Sequence, residues 1–233
     1  MTTFVLVHGA WHGSWCWKRV RKALQAEGHD VYTPTLTGIG ERSHLLSRDV
    51  NLDTHIDDVI NLIQWEELND VVLCGHSYGG CVIRGVADRI GARIAKLVYL
   101  DAFVLENGES LHSTLPPEQR NLQLDLTKQH GDGWKVPPIP AQVFAVNAAD
   151  AAWVDRQCTM QPIATFQQPL LLNNKTEPKT PTLFILASGW NDSPFNAFYE
   201  RARVKGWKTL EIACGHDVML DKPAELTRAL LAV

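Results

Sequence analysis

Short runs of β-branched and aliphatic residues recur along the chain. Between them lie stretches whose apolar residues return every three or four positions. Phe4-Val5-Leu6-Val7, residues 29–33, Val71-Val72-Leu73-Cys74, Ile94–Leu100, Thr182–Ala187 and Lys208–Ile212 read as strands. Helices are predicted over 14–27, with Ser14 as N-cap and Gly28 as the stop, and from Asp53 or Thr54 onward along the stripe Ile56, Val59, Ile60, Ile63. Further helices are predicted directly after Ser77, over 194–204, and over Pro223–Leu231 with Asp221 as its cap and Pro223 in the first turn. Residues 35–51, with Gly38 and Gly40, read as a polar excursion over the surface.

From Ala102 to about Thr180 the alternation stops. Pro116-Pro117, Pro137-Pro138, Pro140, Pro162 and Pro169 interrupt it, with a helical patch near 148–157. The stretch is too long for a plain loop and reads as a cap, about 104–180, inserted into one domain spanning 1–233. No internal repeat appears. Strands alternating with helices predict an α/β fold with a mostly parallel central sheet, helices on its faces and a ligand site at the carboxyl ends of the strands.

Composition narrows the function. The 233 residues suffice for one large domain, and 45% hydrophobic with 21% charged residues is ordinary for a globular protein. A net charge of -4 argues against nucleic acid or an anionic membrane as partner. No apolar run approaches the ~20 residues of a membrane span, and the N-terminus lacks a basic n-region. Five cysteines, odd in number and without a Cys-x-x-Cys pair, suit free thiols in a reducing cytoplasm. The expected partner is a small molecule, with a homodimer left open.

The chemistry centres on Gly75-His76-Ser77-Tyr78-Gly79-Gly80, which follows a buried strand and opens a helix. A strand turning sharply into a helix leaves no room for side chains two residues either side of the serine, and lifts its hydroxyl above the sheet edge. Serine needs a base. His216, in the loop after the last strand, returns to the same edge. His76 leaves the elbow in the wrong direction, and His8 braces the neighbouring loop. The spacing of His8 and His12 gives poor support for a metal, so none is expected. An oxyanion would be held by the backbone N–H groups of Tyr78 and Ala10.

Two aspartates are placed to orient His216. Asp192 sits among turn residues; Asp101 ends a strand between apolar neighbours, where a carboxylate is expensive to bury without a partner. Asp101 is preferred and Asp192 stays the alternative. Trp11, His12, Phe103 and Trp134, with Trp15 and Phe144, are candidate pocket walls, although many such aromatics are plain core.

The stretch from Phe4 to Trp17, Gly28-His29-Asp30-Val31, the Ser77 elbow and Gly215-His216-Asp217-Val218-Met219 resemble the α/β-hydrolase superfamily. The likeness is to the branch of plant methyl-salicylate esterases, hydroxynitrile lyases and bacterial esterase relatives. It implies Ser77 as nucleophile, His216 as base, Ala10 and Tyr78 as oxyanion donors, a cap over a small apolar pocket and no cofactor. Two departures stand out. The plant enzymes' acid would fall near Gly189 or Trp190, while Asp101 matches the position used by haloalkane dehalogenases and some lipases. The lyases carry threonine where Gly9 stands and lysine after the base, where this chain has Asp217. The expectation is a serine esterase for small carboxylic esters using Ser77, His216 and Asp101. The alternatives are a hydroxynitrile lyase or C–C bond hydrolase on the same site, or a non-catalytic receptor for a small ligand.

Overall fold

The computed structural model describes residues 1–173, 180–190 and 193–233. Six parallel strands form one sheet: β1 (Thr3–Val7), β2 (Asp30–Tyr32), β3 (Val71–His76), β4 (Ile94–Leu100), then β7 (Thr182–Ala187) and β8 (Lys208–Ile212), in the order β2-β1-β3-β4-β7-β8. Their side chains alternate between two cores. Val5, Val7, Leu73, Tyr99, Phe184 and Leu186 point to one face, against α2 (Leu52–Trp65), α3 (Gly79–Ile90) and α8 (Asn196–Val204). Phe4, Leu6, Cys74, Val98, Ile185 and Ala187 point to the other, against α1 (Lys18–Ala26) and α10 (Pro223–Leu231). Burial on both faces explains why the inner strands read as largely apolar runs, while the edge strands β2 and β8 stay partly exposed.

The chain enters the sheet at β1 and builds outward on both sides of it. The order therefore reverses between β1 and β3, and a crevice opens at their carboxyl ends. Residues 8–10 and the Ser77 elbow flank that crevice.

The segment between β4 and β7 holds α4 (Leu111–Thr114), α5 (Pro117–His130), α6 (Ala148–Gln157), α7 (Ala164–Gln167) and an antiparallel ribbon of β5 (Lys135–Val136) with β6 (Gln161–Pro162). Arg19 on α1 grips Asp150 on α6 with two bonds of 2.6 and 2.7 Å. Helix α5 went unread in the sequence because Pro116-Pro117 looks like a breaker and its residues form no apolar stripe. Pro117 in fact occupies the first turn, where its missing N–H is harmless.

Three predicted caps are corrected. Helix α2 is capped by Asn51, not Asp53 or Thr54. Asn51 Oδ1 accepts the Thr54 N–H at 3.0 Å and Thr54 Oγ1 accepts the Asn51 N–H at 3.3 Å, a reciprocal pair. Ser14 does not cap α1; a single 3-10 turn, Ser14–Trp17, precedes the helix, and Ser14 bonds to Thr33 and Thr35 instead. Asp221 closes a short helix α9 (Val218–Asp221), and its carboxylate accepts the N–H groups of Asn147 and Gly215. It thereby ties the inserted segment to the loop of His216. Among the described residues, no helix is long and apolar enough to cross a membrane.

Asn51→Ala should remove the α2 cap at about 1 kcal/mol. A melting curve should fall by roughly 2–4 °C; an unchanged midpoint would show that the reciprocal pair contributes nothing.

Candidate active site

Strand β3 runs into α3 through Ser77, whose φ is 53°. That left-handed backbone is uncommon for a side chain other than glycine and is held here by close packing. A Cβ on Gly75 would stand 2.5 Å from the Gly79 carbonyl oxygen, and one on Gly80 would stand 2.3 Å from that of Phe103. The serine N–H is taken by the Leu100 carbonyl and its own carbonyl by Gly80 and Phe103. Ser77 is 9% exposed, and its side chain faces a cavity of about 410 Å³.

His216 lines the same cavity from the loop after β8. Its Nδ1 donates to Asp101 Oδ2 at 2.6 Å, with both side chains buried. Asp101 itself has a left-handed φ of 43°, fixed by its N–H on the Ile185 carbonyl at 2.7 Å and by the Ala187 N–H donated to its Oδ1 at 3.1 Å. The end of β7 thus braces the acid that β4 carries. With Nδ1 engaged, Nε2 is the ring nitrogen available to Ser77. The two side chains do not hydrogen-bond to each other, and such contacts commonly tighten when substrate arrives. Phe195 stacks on the imidazole at 4.9 Å and 5°, with Trp190 at 5.0 Å and Phe144 at 5.2 Å. Burial among these rings pulls the His216 pKa down to about 4, so the ring is a neutral base at pH 7. Burial pushes the Asp101 carboxyl up, opposed by the N–H of Ala187. Asp192, the alternative acid, lies outside the described residues.

Ala10 and Tyr78 line the cavity beside Ser77. The Tyr78 N–H belongs to the first turn of α3, where amides have no partner within the helix. The tyrosine side chain is turned into the core; its hydroxyl lies 2.9 Å from His55 Nδ1. The loop after β1 is tied down by side chains. His8 Nδ1 donates to the Gly9 carbonyl at 2.8 Å, and the Trp11 N–H donates to Gln161 Oε1 at 3.2 Å.

Of the expected pocket residues, Trp11 and Phe103 line the cavity, and so does Phe144. His12 does not. It reaches only a void of about 10 Å³ behind Gly9 and Ser77, because Ala10 and Asp217 hold its ring inward. Trp134 is also elsewhere: Arg48 and Lys135 cover its ring, each 5.4 Å from the centroid. Trp15 packs on Trp153 and His12. Asp217 does not line the cavity; it is fully buried and bonds to His12 at 3.0 Å. The walls that sequence reading missed come mostly from the inserted segment and from the loop after β7: Leu111, Leu115, Gln123 and Phe166, then Trp190 and Phe195. Only the last two had a signal, a position just beyond a strand's carboxyl end.

Among the described residues, His76, His216 and Asp217 bring three donor atoms within 4.8 Å of one another. The His76 Nε2 already meets the His216 carbonyl at 3.1 Å, and Asp217 already holds His12. An ion there would have to displace these bonds and take the base away from Ser77.

A family model described as the alpha/beta hydrolase family matches residues 4–229. The carbendazim hydrolyzing esterase of Nocardioides sp. (strain SG-4G) is 47% identical over 244 aligned residues, covering 100% of both chains. Methylesterase 2 of Arabidopsis thaliana is 34% identical over 109 residues, 46% of this chain and 41% of that one. Among solved structures, an extracellular alpha/beta-hydrolase from a Paenibacillus species superposes with a TM-score of 0.87 at 24% identity, covering 100% of this chain and 98% of that one. Fold, site geometry and full-length kinship agree: the chain belongs to the alpha/beta hydrolase family.

Proposed function

We propose that this protein, an ester hydrolase, cleaves small carboxylic esters by nucleophilic catalysis at Ser77. The observation that carries the reading is the junction of three elements at one cavity. The left-handed serine after β3 and the imidazole of the loop after β8 line it, and the buried carboxylate ending β4 backs the imidazole through a 2.6 Å bond. Ser77 Oγ attacks the ester carbonyl while His216 Nε2 takes its proton. Asp101 holds the ring in the tautomer that leaves Nε2 free and stabilises the imidazolium. The Ala10 and Tyr78 N–H groups receive the oxyanion. The intermediate collapses, His216 returns the proton to the departing alcohol, and water repeats the cycle on the acyl-enzyme.

The mainly apolar lining supports an uncharged aryl or short alkyl substrate, oriented by few polar groups. Carbendazim, named for the Nocardioides relative, belongs among the substrates to try. Gly9 in place of threonine and the missing lysine after His216 speak against the lyase alternative; the residue there, Asp217, is turned to His12. A cytoplasmic site of action, with neither nucleic acid nor membrane as partner, is supported by five free thiols and a net charge of -4.

Ser77→Ala should lower kcat for p-nitrophenyl acetate by roughly 10⁵–10⁶ while the fold is retained; full activity in that variant would remove the nucleophile assignment. Asp101→Asn should lose roughly 10⁴ in kcat, and Asp192→Asn should not; the reverse ranking would exchange the acids. His216 works as a base only when neutral, so activity is present above its pKa and lost below it. The acid limb of kcat/KM should centre near pH 4, as burial of the ring dictates. A limb near the ordinary histidine value of about 6.5, in protein still folded, would contradict the water-poor setting described for this ring.

A further inference from the structure

Two histidines brace the loop that presents the Ala10 N–H, and their partners demand different charge states. His8 Nδ1 donates to the Gly9 carbonyl, and its Nε2 accepts the Leu36 N–H at 3.0 Å. One donor and one acceptor satisfy a neutral ring. Burial agrees, pulling His8 down to about 3. His12 meets two acceptors instead. Its Nδ1 lies 2.8 Å from the Ala10 carbonyl oxygen and its Nε2 lies 3.0 Å from Asp217 Oδ2. A neutral imidazole owns one N–H and would aim a lone pair at one of these oxygens. Both bonds form when the ring carries both protons beside a carboxylate.

The surroundings suit that charge. Trp15 stacks on the His12 ring at 5.0 Å and 19°, offering its π face to a cation. Asp217 is fully buried and its Oδ1 has no hydrogen-bond partner. A buried carboxylate so poorly bonded needs a counter-charge. Burial opposes the charge on each group, and their mutual attraction outweighs it: His12 is raised and Asp217 is held below the usual carboxylate range.

We propose that His12 is a positioning residue of the oxyanion hole: as an imidazolium clamped by buried Asp217, it pins the Ala10 carbonyl and so fixes the loop whose Ala10 N–H receives the oxyanion. This rests on the serine-esterase reading above. Peptide groups are planar, so His8 on the Gly9 oxygen turns the Ala10 N–H of the same peptide the opposite way. His12 holds the next peptide by its oxygen, and Gln161 holds that peptide by the Trp11 N–H. The Thr159 N–H ties the Trp11 carbonyl at 2.9 Å, and together these bonds maintain the left-handed φ of 64° at Trp11. Loss of one His12 proton releases one of its two bonds and loosens the donor.

The groups facing the pair come from several elements. His8 projects from the end of β1 and His76 from β3, the latter with its ring 6.1 Å from His12. His216 and, beyond it, Asp101 lie on the side of Asp217, and the Cys16 and Cys158 thiols also sense its charge. Glu41 reaches the neighbouring Gly13. Burial keeps His8, His76 and His216 neutral and pushes both thiols up. The His12–Asp217 pair is therefore left to change charge above the ordinary histidine range. The imidazolium is present below its raised pKa and lost above it, which gives kcat an alkaline limb.

The test compares kcat and KM for p-nitrophenyl acetate from about pH 6 to 10 in the wild type and Asp217→Asn. It is joined by ¹⁵N NMR of the His12 ring in the wild type. The wild-type limb should lie above the ordinary histidine value of about 6.5 and share its midpoint with the His12 titration. At about pH 6, the low end of the range, both ring nitrogens should carry protons. In Asp217→Asn the limb should move to lower pH, with kcat at about pH 6 reduced roughly 10–10²-fold and KM within about twofold, because the oxyanion exists only past the ground state. A single ring proton on His12 at about pH 6, or an unmoved limb in folded Asp217→Asn, or a raised KM with kcat intact would overturn the proposal. Should that variant not fold, the shared midpoint in the wild type decides. Activity that no longer needs Ser77 sinks the esterase reading itself; Ser77-dependent activity with any of those outcomes sinks only the role of His12.

Discussion

Everything in the site follows from how closely two backbones approach at Ser77. The space that side chains would fill at Gly75 and Gly80 is occupied by carbonyl groups of Gly79 and Phe103. The strand can therefore pass into the helix within one residue, and that residue must adopt a left-handed conformation. Its hydroxyl is then fixed at the mouth of the crevice where the strand order reverses. Main-chain bonds to Leu100, Gly80 and Phe103 distribute the strain over β4 and α3. Ser77 is positioned by rigid elements.

A second constraint is dryness. Around the elbow His8, His12, His76 and His216 are all buried, and hydrogen-bond partners set what each ring can be. His216 has a carboxylate on Nδ1 and aromatic rings on its faces, and its buried ring is neutral at pH 7. His8 donates once and accepts once. His76 spends Nε2 on the carbonyl of His216 and helps hold that loop against the elbow, its ring 4.4 Å from that of the base. His12, between two acceptors, is the ring whose partners ask for a positive charge. One residue type performs four jobs because a low-dielectric interior makes each partner decisive.

The sequence by itself determined the parts that depend on neighbours along the chain. Apolar runs marked the inner strands of the sheet, since those strands bury both faces. The glycines around Ser77 marked the elbow, since steric crowding there is local. His216 and Asp101 were legible because a strand's end has a known place in a parallel sheet. Helix α5 was illegible because its polar residues carry no apolar stripe, and the cap of α2 was misplaced because Asn51, Asp53 and Thr54 are all plausible caps until the backbone is seen. Only the tertiary structure decided the direction of side chains whose partners lie far away in sequence. His12 and Asp217 are 205 residues apart, and nothing near either one says that they face each other and not the cavity. Trp134 looked like any other aromatic wall until its place beside Arg48 and Lys135 was fixed. Such pairings are set by the packing of whole elements, which the order of residues specifies only through the folded chain.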